Sequence, residues 1–222
     1  MKKRQIDRDI YDGNMLLWKK AEEIGYSLDK LKKDLQKGRR IKYLFFWGHQ
    51  QSNDRSITKT CLSQWWKADF TINIDTYCCM EQYMMAEKAR LFEDDETLEK
   101  IMKSKHPKQI KDLGRQVKNF YENLWSKSRY LIILNGNYAK FIQNEELRKF
   151  LIGTKDRVLV EASPYYKIWG IGMSADDNVE NPLSWKGLNL LGFALMEVRD
   201  ELMKVCQNYD KLNLVKLHEM FD

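Results

Sequence analysis

A chain of 222 residues with 43% hydrophobic and 32% charged side chains has the size and balance of one large folded domain, or of one domain with an extension. Its four cysteines include no C-x-x-C pair, its three histidines (His49, His106, His218) are dispersed, and its charged N-terminus has no apolar leader core; a zinc site and a secretory leader are therefore not expected, and a reducing cytoplasm is the expected setting. No run approaches the ~18 apolar residues of a membrane span, and the net charge of +6 is local: residues 1–42 hold 13 Lys/Arg against 7 Asp/Glu, while the other 180 residues hold 25 of each.

In chain order, apolar spacing predicts two short helices, 6–24 (Ile10, Leu17, Ala21, Ile24) and 28–37 (Leu28, Leu31, Leu35). Gly25 and Gly38 stand where helix C-termini favour a residue tolerant of positive φ. The hairpin is expected to pack on the main domain; its excess charge is either a solvated surface or a basic arm that meets phosphate. Residues 43–49 (YLFFWGH) predict a buried strand, followed by a polar loop at 50–60. Phe70 to Tyr77 alternates with period two around a turn near Asn73 to Asp75. The pattern is helical from Cys79 to Phe92, Asp94 or Asp95 can cap a further helix, and Pro107 can open another. Helical segments continue to about 152, a strand is expected at 157–161, and a final helix at about 188–206 carries a core stripe of Leu188, Leu191, Leu195, Val198, Leu202 and Val205. The expected fold is mainly α with a few short β-strands, organised as a basic helical extension (1–42), one domain (43–206) and a C-terminal tail (207–222).

Three stretches stand out chemically. On the helix CMEQYMMAEKARLF, helical spacing places Glu81 and Lys88 beside Met84, Met85 and Phe92. A carboxylate on an apolar face is costly to bury, so Glu81 either pairs with a base inside the fold or serves a reaction. Glu87, on another side, reads as a solvated charge. In RVLVEASPYYKIWGIG, Glu161 ends a buried strand, and Trp169 precedes Gly170 and Gly172, where backbone can approach a ligand closely; the bland alternative is an irregular loop around a core tryptophan. In NPLSWKGLNLLG, Trp185 and Lys186 open the last helix, where a helix N-terminus and a lysine can receive an anion. There is no P-loop and no nucleophile elbow, and WGIG is no dinucleotide fingerprint.

Taken together, FWGH (46–49), LSQWW (62–66), FTINIDTYCCMEQYMMAEKARLF (70–92), NYAKFIQNEELRKFL (137–151), VEASPYYKIWGIG (160–172) and NPLSWKGLNLLGFALMEVR (181–199) resemble the NADAR family over about 43–205, six motifs in register. The resemblance implies a single NADAR-type domain with N-glycosidase activity, without cofactor or metal. One branch of the family hydrolyses phosphoribosylated pyrimidine intermediates of riboflavin synthesis; another removes ADP-ribose from guanine in nucleic acid. By position, Glu81 resembles the family's catalytic glutamate, Trp125 its pocket tryptophan and Trp169 the tryptophan of its W-G-x-G loop. The riboflavin branch carries aspartate in that loop where this chain has Ile171, which weakens that assignment.

The expected chemistry follows. Cleaving a ribosyl–nitrogen bond builds positive charge at the anomeric carbon, which a carboxylate at Glu81 would stabilise while orienting water. Lys88 would bind phosphate or keep Glu81 ionised. Trp125 or Trp169 would stack on the base, with Gly170, Trp185 and Lys186 at the substrate and Glu161 as a second carboxylate. The expected partner is ADP-ribosylated nucleic acid or a phosphoribosylated small molecule, with no membrane and no metal. A non-catalytic ADP-ribose binding module would keep the aromatic pocket without needing Glu81.

Overall fold

The computed structural model describes residues 25–209 except Asn178. The first expected helix (6–24) and most of the C-terminal tail lie outside the described residues. The element order is α1 (Leu28–Gln36), β1 (Tyr43–Phe46), β2 (Phe70–Ile72), β3 (Asp75–Tyr77), α2 (Met80–Leu91), α3 (Asp95–Lys103), α4 (Pro107–Gly114), α5 (Glu122–Gln143), α6 (Glu145–Gly153), β4 (Val158–Glu161) and α7 (Leu190–Tyr209), with short 3-10 turns at Lys59–Leu62 and Pro182–Ser184. The fold is mainly helical with a few short strands, as the periodicities predict.

Local chemistry sets the boundaries. Ser27 caps α1 by accepting from Lys30 N–H, and Gly38 ends it at φ +73°. Asp94 caps α3 by accepting from Thr97 N–H, and Pro107 opens α4 in its first turn. Asn73, at φ +56°, turns β2 into antiparallel β3, pairing Phe70 with Tyr77.

The molecule is organised around α2. Its two faces are both covered: Met80 to Ala86 and Ala89 are all buried, and α3, α4 and α5 pack against it. Gln82, fully buried, satisfies its amide by donating to the carbonyls of Ile101, Met102 and Ser104 at the end of α3, while its oxygen accepts from Cys78 N–H. Glu87 is not the solvated charge that its helical position suggests. It pairs with Arg90 at 2.6 Å, and Arg90 also reaches Asp75 at 2.8 Å and the Tyr77 hydroxyl, because the β2–β3 hairpin folds over that side of the helix.

On the other side of the core, β1 and β4 pair in parallel from Tyr43↔Val158 to Phe46↔Glu161, and α7 packs on β4 and α5. The strand expected over 43–49 stops at Phe46, where its partner also ends, leaving Trp47 to Gln50 as loop. The α7 stripe is buried at Leu191, Leu195, Val198 and Leu202, whereas Leu188 and Val205 are exposed. Helix α7 begins only at Leu190, since Asn189 has φ +54°. The segment before α1 docks on α7: the N–H groups of Gly25 and Tyr26 donate to one Glu197 oxygen and the Tyr26 hydroxyl donates to Asp200. Leu31 joins the core, so α1 is part of the folded body.

Candidate active site

Where the parallel strand pair ends, the chain opens a cavity of about 430 Å³. Its walls come from separate stretches: Trp47 to Gln50 after β1, Ser63 to Trp65, the α2 face with Glu81, Met84, Met85 and Lys88, the end of α4 with Lys111, Gly114 and Arg115, Trp125 from α5, Glu161 from β4, and Tyr166 and Trp169 from the loop beyond. Five aromatic residues, three cations and two carboxylates therefore meet in one depression.

Glu81 sits in the first turn of α2, only 4% exposed. Its N–H donates to the Gln64 carbonyl, which ties the 63–65 wall to the helix start. Burial pushes its carboxyl up to about 7, opposed by the nearby charge of Lys111, a hydrogen bond from the Trp65 side chain and the charge of Arg115. The helix N-terminus further favours its anion. Glu161, 8% exposed, is raised further, to about 8, by burial and by the charge of Glu81, with Lys111 pulling the other way. One of its oxygens, Oε2, is buried without a hydrogen-bond partner, as is Oε1 of Gln64. Both residues line the cavity.

Lys88 lines the cavity but is not among the charges that act on Glu81. Its ammonium donates to the Gly114 carbonyl at 2.8 Å and lies 4.2 Å from the Phe120 ring centroid and 5.8 Å from that of Trp125. The cations that act on Glu81 are Lys111 and Arg115. Lys111 lies 3.9 Å over the Tyr166 ring and 5.7 Å from that of Trp65. Trp125 is almost wholly buried, whereas Trp169 is half-buried.

Gly170 does not reach the cavity. A Cβ there would stand 2.6 Å from the Glu161 carbonyl oxygen, so the residue lets the loop pack against β4 rather than against a ligand. Trp185 and Lys186 are also elsewhere. The Trp185 indole donates to the Val179 carbonyl and its ring lies edge-on to Tyr43. The backbone N–H groups of Lys186, Leu188, Asn189, Leu190 and Leu191 already donate to carbonyls of the 167–171 loop. The N-terminus of α7 thus anchors the Trp169 loop, and most of its amides are already spent on that loop. Asn189 completes the anchor by accepting from Glu161 N–H and donating to the Leu159 carbonyl.

Sequence reading did not single out Trp47, His49, Gln64, Trp65, Lys111, Arg115 or Tyr166 as site residues. FWGH and LSQWW were visible as motifs, and two tryptophans and a histidine in short polar loops were the available signal. Lys111 and Arg115, four apart at a helix end, carry none that separates them from solvated charge.

The NADAR domain family matches residues 45–203. The chain is 42% identical over 166 residues to N-glycosidase R617 of Acanthamoeba polyphaga mimivirus, spanning 72% of this chain and 96% of that protein. It is 30% identical over 137 residues to N-glycosidase YbiA of Escherichia coli, 61% of this chain and 78% of that one. The NMR structure of the E. coli protein YbiA superposes with a TM-score of 0.61 at 24% identity, covering 76% of this chain and 89% of that one, and so shares the fold. The chain belongs to the NADAR family. It is an N-glycosidase, and the cavity at the end of β1 and β4 is where its carboxylates meet.

Proposed function

We propose that this enzyme releases ADP-ribose from ADP-ribosylated guanine in nucleic acid, with Glu81 as the carboxylate that stabilises the ribosyl cation and orients water. The observation that carries the reading is the buried Glu81 in an aromatic-walled cavity, free of any direct ion pair among the described residues. Departure of the base leaves positive charge on the anomeric carbon, and a fixed anion in a water-poor site opposes that charge far more strongly than water does. Trp169 and Tyr166 offer faces for a base, and stacking contributes about 1–3 kcal/mol per base. Lys111 and Arg115 suit the charge of a pyrophosphate. A bare binding module has no use for an anion buried at this cost.

Two features favour the nucleic-acid substrate over a phosphoribosylated pyrimidine. Ile171, in the loop position where the riboflavin branch carries aspartate, is fully buried and offers the cavity no polar group. The charge excess is concentrated at residues 25–42, with 7 Lys/Arg against 2 Asp/Glu, and Lys33, Lys37 and Arg40 there are exposed. Because α1 is docked on the core, neutralising these three residues to Gln is a cleaner test than deleting the segment. With ADP-ribosylated DNA and a phosphoribosyl aminopyrimidine offered side by side, mass spectrometry should find free ADP-ribose from the first. The triple variant should bind the DNA more weakly, with a salt slope shallower by about 0.7–0.9 per lost phosphate contact. Release of sugar from the pyrimidine alone would assign the chain to the other branch.

A further inference from the structure

We propose that Glu161 is the proton donor to the leaving base, so that the cavity works with two carboxylates sharing one proton. This rests on the reading of Glu81 as the cation-stabilising carboxylate. The geometry is specific. Glu161 is the last residue of β4, held on three sides: its N–H by Asn189, its carbonyl by the N–H groups of Ser163 and Ile171, and its backbone by close-packed Gly170. The side chain lines the cavity, and its Oε2 is buried in the wall without a hydrogen-bond partner. A buried carboxyl oxygen left without a donor costs far more as an anion than as part of a neutral carboxylic acid.

The surroundings decide which carboxylate keeps the proton. Sharing the cavity with Glu161 are Glu81 and Lys88 from α2, Lys111 and Arg115 from the end of α4, His49 after β1 and Tyr166 beyond β4. Lys111 acts on both glutamates, but Arg115 and the Trp65 side chain act on Glu81 alone. Glu81 ionises first, and its charge then holds the proton on Glu161. In the reaction, the ribosyl–nitrogen bond breaks with its electron pair going to the base, and the Glu161 proton passes to that base. Water adds to the anomeric carbon and gives one proton to Glu81. Passing that proton from Glu81 to Glu161 restores the starting state, with one water consumed.

The test pairs Glu161→Gln with Glu81→Gln. Infrared spectra of the free enzyme followed through a pH titration should show a protonated carboxyl band that outlasts the other as pH rises; it should disappear in Glu161→Gln and remain in Glu81→Gln, titrating there at lower pH because the Glu81 charge is gone. On ADP-ribosylated guanine DNA, Glu161→Gln should lose about 10²–10⁴-fold in kcat with KM nearly unchanged, and the basic limb of the wild-type pH profile should vanish. On NAD+, whose nicotinamide departs neutral without a proton, the same variant should lose at most a few-fold. Equal losses on both substrates, or a later-titrating protonated band that disappears with Glu81 instead, would overturn the assignment. So would a Glu161→Gln enzyme with wild-type kcat and pH profile beside a dead Glu81→Gln, an outcome that leaves the proposed function standing. Should Glu161→Gln fail to fold, the wild-type spectrum decides: absence of any protonated carboxyl at pH 7 refutes the proposal. Turnover by Glu81→Gln would instead refute the reading on which it rests.

Discussion

Helix α2 carries two glutamates in opposite circumstances. Glu87 lies under the β2–β3 hairpin and is neutralised by Arg90, which is in turn shared with Asp75 and Tyr77. Glu81, six residues earlier, is more deeply buried, and its opposing charges, Lys111 and Arg115, stand across a cavity. The same side chain is a structural ion pair on one face and a buried carboxyl without a direct ion pair on the other. The difference is who supplies the countercharge: the fold itself, or a cation that forms only during a reaction. A charge that the fold leaves uncompensated costs stability, and that cost is characteristic of a functional site.

The sharpest way to break this comparison is to neutralise each glutamate. Glu81→Gln should cut kcat by at least ~100-fold while substrate still binds, because the lost charge matters only as the ribosyl cation forms. Steady-state kinetics with a binding assay on the same preparation would check it; wild-type kcat would dismiss the role. The variant should also be more stable than wild type at alkaline pH. A carboxyl raised from 4.5 to about 7 binds its proton more tightly folded than unfolded. Its stabilisation is complete below pH ~4.5 and lost as pH rises through about 7. Melting curves should therefore show Glu81→Gln above wild type at pH 8 by a few degrees and level with it at pH 4.

Next in size, Trp125→Ala and Trp169→Ala should separate. Trp125 is 8% exposed, and its truncation should cost stability near the ~3–5 kcal/mol of a core tryptophan. Trp169 is half-buried and faces the cavity, so its loss should mainly raise KM, by the ~1–3 kcal/mol of a stacked base. Denaturant unfolding of both variants beside their kinetics would check the split; equal unfolding penalties would make Trp169 core.

Arg90→Ala tests the opposite face. Removing the hub of the Glu87–Asp75–Tyr77 network should destabilise the fold by about 1–3 kcal/mol, with the lower end favoured because the pairs are partly solvated. The kcat should stay within a few-fold, and a large loss of kcat in a well-folded Arg90→Ala would mean that the two faces are coupled. The smallest effect expected is of chelation. Among the described residues no three His, Cys, Asp or Glu side chains gather in a metal-holding group, and the proposed steps need none. Turnover should be unchanged by EDTA, and inhibition reversed by a divalent ion would redirect the mechanism.

How much was legible beforehand depended on how local each cause is. Caps, turns and stripes were readable because their causes lie within a few residues: Asp94 and Pro107 at helix starts, Asn73 in the hairpin turn, Leu191 to Leu202 along α7. The fate of Glu87 was not, since Arg90 is a near neighbour but Asp75 and Tyr77 reach it only when the hairpin folds back. Trp185 and Lys186 failed as an anion site for a similar reason: whether the amides at a helix N-terminus are free depends on what packs there, and here the Trp169 loop takes them.

The sequence by itself determined the chemical inventory: a carboxylate on the apolar face of a helix, a second at a strand end, and aromatic loops in a family-specific order. Only the tertiary structure decided which of these meet. Glu81 and Glu161 are 80 positions apart, and it is the parallel pairing of β1 with β4, with α7 holding the Trp169 loop behind them, that brings both into one cavity with Lys111. The proton affinity of a buried group is set by the charges and dipoles that long-range packing places around it, so Glu81 was recognisable from the sequence, but its poise was not.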